Sequence, residues 1–191
     1  MKTRFSGVMV LVFIGFITSA AQAQNGPIDK KSFTLGGSIS ILSKSGDLYG
    51  DEVQTTISFE PGFAYFIMRG LAVGADLMYQ RESSGNSSST IVGIMPKVAY
   101  FFDAGNKFYP YLGAAFGYAA ETSSWSGPYS SSSTSTGFLF LGAGGVAYML
   151  KPNLAIFVEL NYQILSMTPE HGDTESGGTL AFRIGLTAFI Y

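Results

Sequence analysis

The chain has 191 residues, of which 15% are aromatic and 13% are charged, against roughly 25% charged residues in a typical soluble domain. It contains no cysteine, which excludes a disulfide framework and a thiolate metal site. Eleven basic and thirteen acidic residues, without a basic cluster, exclude nucleic acid as an expected partner.

The first 23 residues have the layout of a secretory signal peptide. Two basic residues precede an apolar core over residues 8–17, and an A-x-A cleavage site ends at Ala23. A retained membrane anchor is the alternative, but this core is shorter than the roughly 18 residues of a spanning helix. Without the signal, nine basic and thirteen acidic residues remain, a net charge of −4. We therefore expect three parts: a cleaved signal over residues 1–23, a short N-terminal segment over residues 24–31 and one domain over residues 32–191.

Runs of alternating apolar and polar residues predict eight strands. Three hairpins repeat one pattern, in which an Ala-Tyr pair precedes a short turn and a second alternating run follows it. Their six runs cover residues 58–66 and 71–79, 93–101 and 110–118, and 143–150 and 154–162. One further strand at each end, near residues 32–43 and 177–191, completes the set.

The connections between these strands alternate in length. Short turns fall near residues 68–70, 103–107 and 151–152. Longer polar loops are predicted at residues 44–52, 82–89, 121–135 and 168–176. Short turns on one rim and long loops on the other are typical of an outer-membrane barrel. The predicted strands of about 9–12 residues are long enough to cross a bilayer when tilted.

The two faces of each strand differ in polarity, as the stretch LAIFVELNYQI at residues 154–164 illustrates. One parity is apolar or aromatic in every predicted strand. The charged residues within the strands all fall on the other parity: Glu60, Asp76, Lys97, Glu159 and Arg183. Because a lipid-facing Lys or Arg costs roughly 2–4 kcal/mol at the midplane, we expect lipid outside and a polar lumen inside.

Tyrosines mark both ends of the outward face. Tyr65, Tyr100 and Tyr148 lie beside the short turns; Tyr79, Tyr118 and Tyr162 lie below the long loops. Two such aromatic girdles are expected at two membrane interfaces. A soluble lipocalin-like barrel is the alternative, but it would have an apolar inside and a charged outside. The pattern therefore predicts an all-β fold, an eight-stranded antiparallel transmembrane up-and-down β-barrel.

The inward charges allow two interpretations. We expect Glu159 and Arg183 to lie at similar height on neighbouring strands. We also expect Asp76 to lie near Lys97, with Glu60 beside that pair. Since eight strands leave an interior just wide enough for side chains, we favour a buried ion network that fills the lumen. A gate or a path for small ions is the alternative. Inward aromatic residues near the short turns would narrow any passage: Phe66, Phe101, Tyr109 and Tyr111.

Two hairpin sequences, PGFAYFIMRGLAVGADLMY and PKVAYFFDAGNKFYPYLGAAFGY, resemble those of the small outer-membrane β-barrel family, the OmpX-like and OmpA-barrel-like proteins. The resemblance covers residues 32–191. It implies a monomer in the bacterial outer membrane, surrounded by lipid that includes lipopolysaccharide, without cofactor or metal. The implied role is structural or interactive: envelope integrity, adhesion or recognition through external loops. A narrow pore is the alternative, and a lipid-modifying enzyme is a third possibility.

The closing strand of this family usually ends in a signal, polar-x-Gly-x-x-hydrophobic-x-aromatic, that the barrel-insertion machinery reads. One placement uses Arg183, Gly185, Ala188 and Ile190, with one residue to spare. The other takes Phe189 and Tyr191 as the aromatic pair. The machinery is thus an expected partner, and the register of the last strand stays open.

Two loop features can be interpreted either as functional sites or as ordinary solvated surface. His171, the only histidine, lies among acidic residues. It could form part of a cation site or act as a general base, but we favour a solvated side chain without a function. Family members that modify lipids use a His/Ser pair on the outer rim, but no strand here carries a histidine. Trp125 and Tyr129 lie in a Ser/Thr-rich loop, which is either an adhesive contact or a solvated flexible loop. We expect no enzymatic activity.

Overall fold

The computed structural model describes residues 26–46, 50–84, 87–105, 107–125, 131–169 and 173–191. They form eight antiparallel strands: β1 (Phe33–Gly46), β2 (Gly50–Met68), β3 (Leu71–Ser84), β4 (Ser87–Phe101), β5 (Phe108–Trp125), β6 (Ser131–Lys151), β7 (Leu154–Pro169) and β8 (Glu175–Ile190). Each strand pairs with the next, and β8 pairs with β1 to close the barrel. The predicted fold class is confirmed. No helix in the described parts of the chain is long and apolar enough to cross a membrane.

The outer face of the barrel is a continuous apolar band. Leu112, Phe138 and Ile39 are 62%, 58% and 56% exposed, although they are large hydrophobic residues. Their neighbours on the opposite parity, such as Phe66 and Met95, are fully buried. An exposed band of this size fits a lipid solvent, because soluble monomers rarely expose apolar patches beyond a few hundred Å².

The strands extend well beyond the apolar band at the end opposite the short turns. They have 14 to 21 residues, more than expected. The prediction of long polar loops at this end was wrong: β5 and β6 stay paired up to Trp125 and Ser131, through Thr122 and Thr134. The backbone groups of these Ser- and Thr-containing segments pair across the hairpin, although water could also bind them above the membrane. Long hairpins therefore replace the predicted loops.

The short-turn rim carries an N-terminal cap, residues 26–32, whose packing was not predicted from the sequence. Ile28 is 3% exposed and packs in a cluster with Phe66 and Phe189. The amide of Gly70 donates to the carbonyl of Ile28 (2.8 Å), and the amide of Lys31 donates to that of Phe66 (2.9 Å). The cap thus covers one mouth of the barrel.

Candidate functional site

Arg183 bridges two carboxylates inside the lumen. Its Nη2 forms a close ion pair with Oε2 of Glu60, and its Nη1 donates to Oε1 of Glu159 at 3.3 Å. Glu159 is the registered neighbour of Arg183 on β7. Glu60 lies two strands away on β2, and the intervening β1 positions are the small Ser38 and Ser40. Small side chains on β1 leave space for the contact across that strand.

Neutral polar groups complete this network. Tyr111 Oη donates to Oε2 of Glu159 (3.0 Å), and Asn161 Nδ2 donates to its Oε1 (3.0 Å). Ser58 Oγ donates to Oε1 of Glu60 (3.1 Å). The carboxylates therefore accept hydrogen bonds in addition to their ion pairs, as buried charges require.

Asp76 and Lys97 form a third ion pair in the lumen, separate from the two of Arg183, with 2.5 Å between Lys97 Nζ and Asp76 Oδ1. The side chains are 17% and 27% exposed. Glu60, which we expected beside this pair, makes its own ion pair with Arg183. That partnership depends on how β8 registers against β1 at the barrel closure, which local hairpin patterns do not specify.

An aromatic layer lies between these charges and the short turns. Phe66 stacks on Phe189, with ring centroids 6.3 Å apart, and is tilted against Phe101 at 5.5 Å. Phe101 in turn stacks on Tyr111 at 4.9 Å. Tyr109 packs partly buried against the same cluster. Phe189 was not predicted as part of this layer, although its parity, six residues after Arg183, places it on the inner face.

Above the charges, toward the long hairpins, the lumen is partly apolar. A cluster of buried residues from β3 to β7 fills it: Met78, Ile91, Met95, Ala115, Ala119, Leu139, Leu141, Leu165 and Met167. The expectation of a polar lumen thus describes only part of the interior. Methionine side chains bend to fill irregular space, which suits the packed interior of a narrow barrel.

A cavity of about 110 Å³ lies between the Asp76–Lys97 pair and the ion network of Arg183. Asp76, Lys97, Glu159 and Arg183 all line it. Arg183 Nε is buried and has no hydrogen-bond partner among the described residues. Since one buried water needs roughly 10–15 Å³, the cavity has room for several. The site can therefore hold water or small ions next to fixed charges.

Tyr111 reaches the network because its strand neighbour is a glycine. Gly145 on β6 is the registered partner of Tyr111, and a Cβ added there would lie 2.7 Å from the tyrosine ring and hydroxyl. The ring thus occupies the space that a side chain would take. Phe157 covers Gly185 in the same manner on β7 and β8.

The six tyrosines assigned to girdles are all on the outer surface. They are 37–52% exposed: Tyr65, Tyr79, Tyr100, Tyr118, Tyr148 and Tyr162. Some of them contact other outward rings. The ring centroids of Tyr148 and Phe108 are 4.8 Å apart, and those of Tyr118 and Phe138 are 5.8 Å apart. At the end of β8, Ile190 shares the outward parity, whereas Phe189 is buried inside and Tyr191 Oη donates to the carbonyl of Pro152 (2.7 Å).

Some predicted features lie outside the described residues. These are the signal over residues 1–23, His171 and Tyr129. Trp125 is described and is 41% exposed at the end of β5, where it belongs to the paired hairpin.

A closed antiparallel barrel with an apolar outer band and charges at its axis defines an integral outer-membrane β-barrel. The family model of the outer membrane protein beta-barrel domain matches residues 9–187. The chain belongs to this family, and its location is the bacterial outer membrane. The match begins within the predicted signal, so the domain boundary remains a prediction.

Solved structures with the same fold include three small outer-membrane proteins. Neisserial surface protein A is 17% identical (TM-score 0.69; 83% of this chain, 99% of that one). The second is Ail, the attachment invasion locus protein of Yersinia pestis, solved in complex with the heparin analogue sucrose octasulfate. It is 11% identical, with a TM-score of 0.59 over 84% of this chain and 99% of that one. OprG from Pseudomonas aeruginosa is 13% identical, with a TM-score of 0.56 over 87% of this chain and 100% of that one. At such identities the likeness concerns the fold. A search of curated proteins found no match.

Proposed function

We propose that this protein is a structural barrel with a closed lumen, which does not conduct ions and which contacts partners outside the cell through its long hairpins. The observation that carries the proposal is the filling of the lumen by three successive layers. These are the aromatic layer around Phe66, the ion network around Arg183 and the apolar cluster around Met95. The N-terminal cap adds Ile28 at the short-turn mouth.

Single-channel recording in planar bilayers tests the closed lumen. We expect no discrete conductance steps from refolded protein whose folding is verified by heat-modifiable electrophoretic mobility. A narrow pore is the alternative function, and the charged cavity is the feature that favours it. Discrete steps that change size in Glu159→Gln would establish the pore and refute the proposal.

The surface for external partners is the extension of β4, β5 and β6 beyond the barrel. β5 and β6 pair up to Trp125 and Ser131, but the ladder between β6 and β7 begins only at Ser135 and Pro169. Residues 131–134 therefore have no strand partner on their second edge among the described residues, and residues 132–134 are exposed. An open edge of this kind can pair with an extended segment of another protein.

The charge of the long-hairpin end argues for a polypeptide rather than a polyanion. Ail was crystallised with a sulfated heparin analogue. In this chain the four connections at that end and their flanking strand ends carry two basic and eight acidic residues. A polysulfated ligand would meet like charge there, whereas backbone pairing along residues 131–134 needs no basic residues.

Shortening the β5–β6 hairpin tests this surface. Replacing residues 123–133 by an Asn-Gly turn should remove adhesion of cells that display the protein, because the open edge is removed. A variant with a shortened β1–β2 hairpin, whose strands do not pair with β4, β5 or β6, is the matched control and should adhere normally. Equal loss in both variants, or no loss in the first, would contradict an interaction through β6.

The remaining assignments are part of the same proposal. The six outward tyrosines serve as two interfacial belts, the inward charges as a network that fills the lumen, and the last strand as the segment that the insertion machinery binds. The protein acts as a monomer. We assign no catalytic step; loss of a lipid-modifying activity in His171→Ala would contradict that assignment.

A further inference from the structure

Charge is distributed unequally between the two ends of the barrel. The short-turn end carries five basic and two acidic side chains: Lys30, Lys31, Arg69, Lys107 and Lys151 against Asp29 and Asp103. The opposite end has two basic and eight acidic residues. The N-terminal cap and each of the three short turns thus contribute at least one cation to a basic collar, defined as these five basic residues.

The two acids of this rim are already occupied. Arg69 lies between them, with 2.8 Å from Nη2 to Oδ2 of Asp103 and 3.7 Å from Nε to Oδ1 of Asp29. The four lysines of the collar are exposed, and none of their ammonium groups has an ion-pair partner among the described residues. Four cations therefore remain available to an external anion.

The collar lies at the height where a membrane presents its headgroups. Tyr65, Tyr100 and Tyr148 stand outward on the strand ends beside the same turns, and amphipathic rings settle at the headgroup level. Lys151 follows Tyr148 by three residues on β6. Hydrogen bonds from Met149 N to the carbonyl of Lys107 and from Phe189 N to that of Asn153 tie the turns into one rim. Lys107 directly precedes β5 and Lys151 ends β6, beside the outward tyrosines, while Lys30 and Lys31 lie on the cap of the same rim.

We propose that the basic collar binds anionic phospholipid headgroups in the leaflet next to the short turns. In outer-membrane barrels the short turns face the periplasm. The lysines contact the phosphates electrostatically, and the acidic opposite end repels the same lipids. The collar thereby selects the lipid around one rim.

Native mass spectrometry of lipid retained by the protein tests the collar. The probe is a mixture of phosphatidylcholine and phosphatidylglycerol, matched in chain length, from which the protein is released in a mild detergent. The wild-type protein should retain phosphatidylglycerol in preference. Each Lys→Gln change should weaken that preference roughly five-fold, the equivalent of about 1 kcal/mol per lysine near an anionic surface. The fourfold variant K30Q/K31Q/K107Q/K151Q should retain both lipids equally.

Two controls separate the collar from general charge effects. Arg81→Gln removes an exposed cation at the opposite end and should leave the preference unchanged. The fourfold Lys→Arg variant should retain it, because the charge is kept. All variants should fold, as judged by heat-modifiable mobility, since the four lysines are exposed. Equal retention of both lipids by the wild type, or a preference that survives in the fourfold Gln variant, would overturn the proposal.

Discussion

Two arginines in this barrel each bridge two carboxylates, one at the axis and one on the rim. The side chain of Arg183 is 5% exposed between Glu60 and Glu159, whose side chains are 2% and 11% exposed. That of Arg69 is 69% exposed and reaches carboxylates that are 35% and 43% exposed. Both arginines form the same kind of ion pair, but water screens the exposed charges on the rim much more than the buried charges in the lumen.

The comparison shows that surroundings, not contact geometry, determine what such a bridge contributes. Removing one partner of a buried ion pair leaves an uncompensated charge and typically costs about 3–5 kcal/mol. Exposed pairs are worth roughly 0.2–1 kcal/mol, because water solvates the separated ions nearly as well. Substituting either arginine therefore measures the environment more than the bond.

The largest effect is expected at Arg183. Arg183→Met leaves Glu60 and Glu159 without their cation in the lumen, so the free energy of unfolding should fall by about 3–5 kcal/mol. Urea titration of protein folded into phosphatidylcholine vesicles, read by heat-modifiable mobility, measures this change. The matched control is the triple variant E60Q/E159Q/R183M, which removes all three charges and should be more stable than Arg183→Met alone. A single variant as stable as the wild type would mean that the network adds nothing to folding.

How much of this interior could be predicted depends on sequence distance. Glu159 and Arg183 belong to consecutive strands joined by one hairpin, so alternation and hairpin pairing predicted their proximity. The contact between Arg183 and Glu60 spans the closure of β8 on β1, whose register comes from the whole barrel. No local pattern encodes that register, and the ion pair was not predicted.

The same reasoning explains the other differences. Eight strands and their outward faces followed from period-two hydrophobicity, because lipid tolerates no charge on that face. Hairpin length above the membrane is not constrained by lipid, and Ser/Thr segments suit both loop and ladder, so the long β5–β6 hairpin was mistaken for a loop. Ile28 packs against side chains from several distant strands, and a lone apolar residue in a polar segment predicts no such contact.

An intermediate effect is expected where a neutral residue supports the buried network. Gly145→Ala places a methyl group 2.6 Å from the carbonyl oxygen of Val158 and 2.7 Å from the Tyr111 ring. Both must shift, and the hydrogen bond from Tyr111 to Glu159 must lengthen. Overpacking of this kind costs roughly 1–3 kcal/mol in the same urea titration. Gly142→Ala on the same strand is the control, because a Cβ there meets nothing within 4 Å, and it should change stability little. Equal effects at both positions would show that backbone freedom, and not the close approach of Val158 and Tyr111, explains the glycine.

The smallest effect is expected at Arg69, and it completes the comparison. Arg69→Met removes both rim pairs at once, yet each acid stays exposed to water, so the free energy of unfolding should fall by no more than about 1 kcal/mol. The Debye length shrinks to about 3 Å at molar ionic strength, and salt ions reach the exposed rim. Added salt should therefore abolish the difference in unfolding free energy between this variant and the wild type. The loss in Arg183→Met should persist in the same salt, because the closed lumen that we propose keeps bulk salt away from Arg183. If Arg69→Met instead costs as much as Arg183→Met, the rim bridge holds the N-terminal cap in place through Asp29, and cap closure rather than solvent exposure governs the contribution of the exposed bridge.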